Sequence, residues 1–363
     1  MASPPQPSSE PTTRPNDAEA SHDGGPPRSG GQSDATPSSA PLRHEGTAVA
    51  TFVDMTDASA TNDSSTSSPI RRRFDTTGIW FFTDGMAAGE AAEFAGWIEE
   101  LGYSTLWLPD TVGRDPFTHI AWLASQTENL GFATGIANIF HRHPGPMKQA
   151  ANTLGEQTGG RFALGLGVSH GPLVAGLRGL DYSKPLSKMR DYLAQMNAQP
   201  FRSQIAEHEQ PPVLLAALGP KMLELAAEAA DGAHPYWTTP DHTASAREIM
   251  GPDALLCVEQ KVCLTDDRER FRDAAVSALG VYIDLPNYRN NWLRLGFTDD
   301  EIDQKADRFL DAVVAWGDAD QLRSRVQAHY DAGADHVCIQ PISVDGYGHL
   351  DRAAFEALAP AHS

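Results

Sequence analysis

Cysteine is scarce in this chain, and what there is does not pair. Cys257, Cys263 and Cys338 lie in apolar runs, at no spacing that makes a disulfide framework or a cysteine zinc site. They suit a reducing cytoplasm. Long apolar runs are missing as well: no stretch of about 18 apolar residues occurs, which excludes a membrane-spanning helix. Basic residues are few, 28 Lys plus Arg against 48 Asp plus Glu, for a formal net charge of −20. So acidic a surface repels phosphodiester backbones and anionic lipid, so neither nucleic acid nor a membrane is an expected partner.

Aromatic residues are almost absent from residues 1–73, where Phe52 stands alone among Pro, Ser, Thr, Gly, Ala and Asp. Such a stretch cannot bury enough apolar surface to offset about 1–2 kcal/mol of backbone entropy per residue, so it is expected to be a disordered extension. It also lacks the compact apolar core of a secretory signal. It reads as a solvated tail, an over-long start with Met55 as initiator, or a docking arm ending in Arg71–Arg73. Its nine acids and six bases leave 39 acids against 22 bases beyond it, so the acidity belongs to the folded part. Folding is expected from Phe74 to the end, residues 74–363.

What is present is an alternation of strand and helix from Gly78 onward. Apolar runs at 78–83, 105–108, 131–139, 161–168, 213–217, 232–236, 255–264 and 336–341 read as eight strands. Helical patterns at 87–101, 116–128, 146–157, 188–198, 220–230, 241–250 and 267–282 follow the first seven, and 352–358 the last. Near-continuous apolar strands are buried on both faces, as parallel sheets require. Eight repeats over this length favour a single (β/α)8 TIM barrel over an open doubly wound sheet. An insertion is expected around 284–315. A barrel puts its chemistry on the loops after each strand.

Those loops hold the candidate site residues. Asp110 and Thr111 follow the second strand. Ala133-Thr134-Gly135-Ile136-Ala137-Asn138 ends the third, with Gly135 read as a bulge or a ligand's close approach. His141-x-His143 resembles half of a zinc site, yet no HExxH or second partner is in order, and no metal is expected. Gly165-x-Gly167 is a weak phosphate-loop signal because no helix opens directly after it. His170 falls where the fourth strand opens on the mouth. Ala217-Leu218-Gly219-Pro220-Lys221-Met222 is more specific: proline at a helix's first position leaves amides at the helix start, and Lys221 adds positive charge there. This is an expected anion site. The insertion's PNYRNNWLRLGF, with Tyr288 and Arg289, reads as a lid or substrate wall.

Taken in order and spacing, ATGIAN at 133–138, RHP at 142–144, TGGRFALGLG at 158–167 and AALGPKMLELAAEAADG at 216–232 resemble the bacterial luciferase-like superfamily, in particular the luciferase-like (LLM class) coenzyme F420-dependent oxidoreductases. The resemblance runs from Gly78 to Ile342. It implies a (β/α)8 barrel with a deazaflavin or flavin ring at the C-terminal mouth. By position, Asp110 resembles the acid near the ring, Gly135-Ile136 the family's non-prolyl cis peptide, and Ala217 with Gly219 and the following amides the phosphate loop.

Where sugar-phosphate dehydrogenases of this family carry a His and a Glu, this chain holds Thr111 and His170. That departure argues against sugar phosphates and leaves His170, with Asp110, as the catalytic candidates. Asp110, Gly135, Ile136, Asn138, Ala217, Gly219, Pro220, Lys221 and Met222 are the expected cofactor contacts, and Thr111, His141, Tyr288 and Arg289 the expected substrate pocket. The implied function is hydride transfer between coenzyme F420 and a small organic molecule, with a homodimer as the permitted assembly. Two alternatives stand beside it: an FMN-dependent monooxygenase, and a barrel that binds flavin or deazaflavin without catalysis.

Overall fold

The computed structural model describes residues 74, 76–203, 210–346 and 348–360. The expected disordered extension lies outside the described residues up to its last position. At Phe74 the chain is buried against the rings of Trp107 and His336, 6.0 and 5.2 Å away. The first described aromatic thus plugs the end of the barrel from which the strands start.

Eight parallel strands close into that barrel. They are β1 (Gly78–Trp80), β2 (Thr105–Leu108), β3 (Gly131–Thr134), β5 (Phe162–Gly167), β6 (Val213–Leu215), β7 (Gly232–Ala233), β8 (Leu255–Leu264) and β10 (His336–Pro341). Each pairs with the next in parallel, and β10 closes the ring by pairing β8 on one side and β1 on the other, with Gly78 opposite Cys338. A (β/α)8 TIM barrel is therefore the fold. Two shorter strands add to it: β4 (Ala137–Asn138) on β5, and β9 (Val314–Gly317) on the far end of β8.

Side-chain alternation sorts the strands into two cores, as the period of two requires. Ile79, Leu106, Phe132 and Leu164 face outward into the layer beneath the helices. Trp80, Trp107, Ala133, Ala163, Leu214, Cys257 and Cys338 point inward and fill the barrel. A third cluster, built on Trp292, Phe309 and Phe271, holds the segment between β8 and β10.

Two sequence readings change here. The apolar run 131–139 is not one strand: it breaks after Thr134, and the Gly135–Ile136 peptide bond is cis, as the resemblance implies. Gly165 and Gly167 serve this break. A Cβ at Gly165 would stand 1.9 Å from the Thr134 carbonyl oxygen, and one at Gly167 would stand 2.3 Å from Ile136 Cδ1. The glycine pair therefore makes room for its neighbour and is no phosphate loop. The insertion holds helix Pro286–Arg294, two further short helices and β9, and β9 gave no separate signal in the sequence.

Candidate active site

The strand ends open on a cavity of about 630 Å³, within the range of small-molecule and cofactor sites. Its floor is made by residues at the C-terminal ends of β1, β3 and β7. Trp80 Nε1 donates to the Gly135 carbonyl oxygen at 3.0 Å, and a Cβ at Gly135 would stand 2.5 Å from that nitrogen. Glycine is needed there for the close approach. His234 lies flat on Trp107, ring centroids 4.2 Å apart, and donates from Nδ1 to the Cys257 carbonyl oxygen at 2.8 Å. Burial pushes the His234 imidazole down to about 4, so the ring is neutral near pH 7.

One wall is aromatic. Tyr236, Tyr282 and Tyr288 pack within 5.3–6.3 Å of one another, ring centroid to centroid. Behind Tyr236 lies a buried ion pair, Lys261 Nζ to Glu259 Oε1 at 3.0 Å. The ammonium sits 3.7 Å from the Tyr236 ring centroid and 3.8 Å from that of Trp237, while Glu259 accepts the Trp237 backbone N–H. Burial outweighs mutual attraction for both partners, raising the Glu259 carboxyl and lowering the Lys261 ammonium to about 8. The pair fixes the Tyr236–Trp237 corner, where Trp237 adopts a left-handed φ of 57°.

His170 stands against this wall, its ring 5.5 Å from that of Tyr288. Burial drives it down to about 4, while a hydrogen bond with the Asn287 side chain pulls the other way. Nδ1 is buried and has no protein hydrogen-bond partner.

The cavity wall after β6 is electropositive. Helix Pro220–Ala229 starts at Gly219 with proline in its first turn, and no side chain caps it. Pro220 has no N–H and the Met222 N–H donates back to the Gly219 carbonyl oxygen at 3.0 Å, which leaves the Lys221 N–H as the first-turn donor without an intrahelical partner. Lys221 lies in that turn, and Arg294 reaches over from helix Pro286–Arg294, with Nη2 bonded to Asn291 Oδ1 at 3.3 Å. A Cβ at Gly219 would stand 3.6 Å from Arg294 Nη2. Gly219 has an ordinary extended backbone, so its value lies in the space it leaves.

Most expected site residues meet at this cavity. Asp110, Thr111, Gly135, Ile136, His170, Ala217, Gly219, Pro220, Lys221, Met222 and Tyr288 all line it. Three do not, and each has a physical reason. Asn138 is buried beneath the wall, where its side chain bonds His141 Nε2 at 3.1 Å and the Phe140 N–H at 3.0 Å. His141 donates from Nδ1 to Asp110 Oδ1 at 3.1 Å and faces a separate open cleft. Arg289 turns to the outer face of its helix, where it pairs with Asp299 and Asp303. His143 Nδ1 accepts the Gly145 N–H at the start of helix Pro144–Gln157, so the two histidines of the His-x-His pair serve different local partners.

Asp110 lines the cavity with its carboxylate already committed. Oδ2 accepts from Arg142 Nη1 at 2.7 Å and from the Asn138 backbone N–H at 3.1 Å, and Oδ1 takes His141. The sequence reading missed Trp80, His234, Tyr236, Tyr282, Asn287 and Arg294. Alternation could have found three of them: Trp80 follows Gly78 inward, and His234 and Tyr236 follow Gly232. Arg294 stands four residues after Asn290 on one helix face, a signal visible only once the insertion is known to be helical.

The sequence pattern of the luciferase-like monooxygenase family matches residues 64–336. A Mycobacterium tuberculosis protein named as a coenzyme F420-dependent oxidoreductase is 26% identical over 304 residues, covering 67% of this chain and 88% of its own. Among solved structures, the F420-dependent tetrahydromethanopterin reductase of Methanopyrus kandleri superposes with a TM-score of 0.60 at 15% identity, covering 78% of this chain and 96% of that one. The FMN-bound oxygenating constituent of 3,6-diketocamphane monooxygenase from Pseudomonas putida superposes at 0.55 and 18% identity, over 78% and 96%. These structures share the barrel. The family pattern spans three-quarters of the chain and includes the strands that build the cavity, and by that match the chain belongs to the luciferase-like monooxygenase family, whose members are oxidoreductases.

Proposed function

We propose that the chain is a coenzyme F420-dependent oxidoreductase that moves a hydride between the deazaflavin and a small organic substrate. The observation that carries this reading is the polarity of the cavity. An apolar floor at Trp80, Gly135 and His234 suits a flat heteroaromatic ring. After β6, the helix start at Gly219, with Lys221 and Arg294, suits a phosphate. The space that a Cβ at Gly219 would fill fits such a group. Deazaflavin is preferred to FMN because the Mycobacterium tuberculosis relative bears that name, although FMN would present its phosphate to the same cations.

When bound, the deazaflavin supplies a two-electron hydride donor or acceptor. The protein supplies the rest. Lys221, through its ammonium and its backbone N–H, and Arg294 would hold the phosphate, and Gly135 with Ile136 would back the ring. His170, which lines the cavity, would take or give the substrate proton, a role open to it because the ring is neutral at neutral pH. Asp110 acts through its partners: by holding Arg142, His141 and the Asn138 amide it fixes the wall between β2 and β4.

Absorbance titration of the purified protein with coenzyme F420 and separately with FMN tests the reading. Saturable binding of F420, tighter than that of FMN, is expected. Tight FMN binding without F420 binding would replace it with the flavin monooxygenase reading. Saturation by neither would remove both.

A further inference from the structure

We infer that the buried Glu259–Lys261 pair is a positioning device for the phosphate end of the site: acting through Trp237, it seats the helix that carries Arg294. The inference rests on the hydride-transfer reading and deepens it. Alternation along β8 points both side chains into the barrel, as it does the inward Cys257 before them. Glu259 is 1% and Lys261 2% exposed, and neither lines the cavity. A buried pair of this kind is seldom more stabilising than apolar side chains of the same size, so its value lies in what it orders.

What it orders is Trp237, which is gripped at both ends of its backbone. The Trp237 N–H donates to Glu259 Oε2 at 3.1 Å, and its carbonyl oxygen accepts from Trp292 Nε1 at 3.1 Å. The Lys261 ammonium donates to the other carboxylate oxygen at 3.0 Å and lies over the Trp237 ring, 3.8 Å from its centroid. Held so, Trp237 keeps a left-handed φ of 57°, which a residue with a Cβ adopts only where its surroundings impose it. Its ring is buried and forms no part of the cavity wall, so the grip serves a neighbour.

That neighbour is Trp292, on helix Pro286–Arg294. Trp292 is fully buried, its ring 4.9 Å from that of Phe309 between centroids. The helix has nine residues and no side-chain cap at its start, and so short a helix owes its place to tertiary contacts. The bond from Trp292 to Trp237 ties it to the barrel interior. Next to Trp292, Asn291 Oδ1 accepts from Arg294 Nη2 at 3.3 Å. A second contact runs in parallel, since the ammonium also lies 3.7 Å from the Tyr236 ring centroid and Tyr236 packs on Tyr288 of the same helix. The pair touches no ligand, yet the place of Arg294 depends on it.

The test compares two ligands on the full chain: coenzyme F420, and the ribityl deazaflavin that has the same ring and ends before the phosphate. The ratio of their dissociation constants measures what the phosphate end contributes. Lys261→Met and Trp292→Phe are each expected to shrink that ratio by about three- to tenfold, the worth of one hydrogen bond. Trp292→Phe keeps a buried ring, so it decides the matter if Lys261→Met does not fold. In an Arg294→Ala background, Trp292→Phe should alter the ratio by less than about twofold, because the two act along one path. A second readout needs no ligand. Amide hydrogen exchange at Asn291–Arg294 should be about tenfold faster in both variants, with helix Pro144–Gln157 unchanged.

A ratio unaltered in either folded variant overturns the inference, and so does an effect that adds in full to that of Arg294→Ala. Exchange that quickens equally in helix Pro144–Gln157 also overturns it, by reducing the pair to a general stabiliser. A wild-type ratio near one does the same, by taking the phosphate away from Arg294. Failure of F420 to bind at all removes the hydride-transfer reading instead. Hydrogen exchange in the ligand-free chain then decides whether the pair seats the helix.

Discussion

Asp110 Oδ2 and Arg142 Nη1 lie 2.7 Å apart, and through this contact the loop after β2 is pinned to the loop after β4. Arg142 also pairs with Asp115, which caps helix Pro116–Ala124 by accepting the Thr118 N–H. The wall of the cavity is therefore held by a chain of charges that no substrate needs to touch. Asp110→Asn should cost about 2–3 kcal/mol, the value of a hydrogen bond to a charged group. Chemical denaturation measures that loss. A variant that keeps its stability and loses turnover a hundredfold would instead put Asp110 in the chemistry.

His170→Ala should reduce turnover by about 10²–10⁴, the ordinary contribution of general acid–base help, with little change in cofactor affinity. A histidine that only packs against Tyr288 would behave differently, losing thermal stability and keeping its rate per folded molecule. Measuring both on one preparation separates the roles. Because burial holds the imidazole near 4, a reaction in which His170 accepts a proton should lose this help only as pH falls toward 4, not at the usual histidine value.

Lys221→Ala and Arg294→Ala should each weaken cofactor binding between twofold and thirtyfold. A charge at a helix start is worth about 0.3–1 kcal/mol and up to ~2 when partly buried. Gly219→Val should be more severe for binding and mild for folding, because its backbone is ordinary and its Cβ enters the ligand's space. Fluorescence titration gives the affinities and calorimetry the melting temperatures. Unchanged affinity in all three would place the phosphate elsewhere.

Stability should fall as the solution is acidified from about pH 6.5. His170 and His234 are held near 4, and His329 and His336 near 3, all by burial. In each case the folded value lies below the unfolded one, so between about pH 3 and 6.5 the unfolded chain binds more protons. Lowering pH through that window therefore favours unfolding. The melting temperature should drop between pH 7 and 5, and unfolding at pH 5 should take up protons. Release of protons there would contradict the burial of these rings.

Phe74→Ala should cost about 3–5 kcal/mol, the range for emptying a buried aromatic site. Removing residues 1–73, which the composition reads as unable to build a core, should leave the melting temperature and cofactor affinity close to those of the full chain. A shortened chain that is insoluble, or binds more than tenfold worse, would refute that reading.

How far the fold was legible follows from where its signals are local. The eight barrel strands were readable because burial on both faces leaves continuous apolar runs. Val314–Gly317 was not, since its four residues pair only with the far end of β8 and continue directly from a helix. The break at Gly135 could be suspected from a glycine in a strand, but its packing against Trp80 and His234 depends on strands far apart in sequence. Site residues on strand ends were found because the barrel dictates where they point. Arg289 was misassigned and Arg294 missed for one reason: in a helix the facing side chains recur every three to four residues, and a segment read as a loop offers no such rule.

β8 is the longest strand, ten residues, and it alone touches β7, β9 and β10. The ring it belongs to is closed by a strand synthesised 258 residues after β1 begins. Every residue that lines the cavity has been made by Arg294, yet the walls that hold those residues in place are not joined until His336–Pro341 has been added. During synthesis, then, the chain carries the complete cavity lining on an open sheet with two bare edges. A chain stopped short of His336 would retain every contact residue and bind nothing, and would expose the edges of β1 and β8 to other chains.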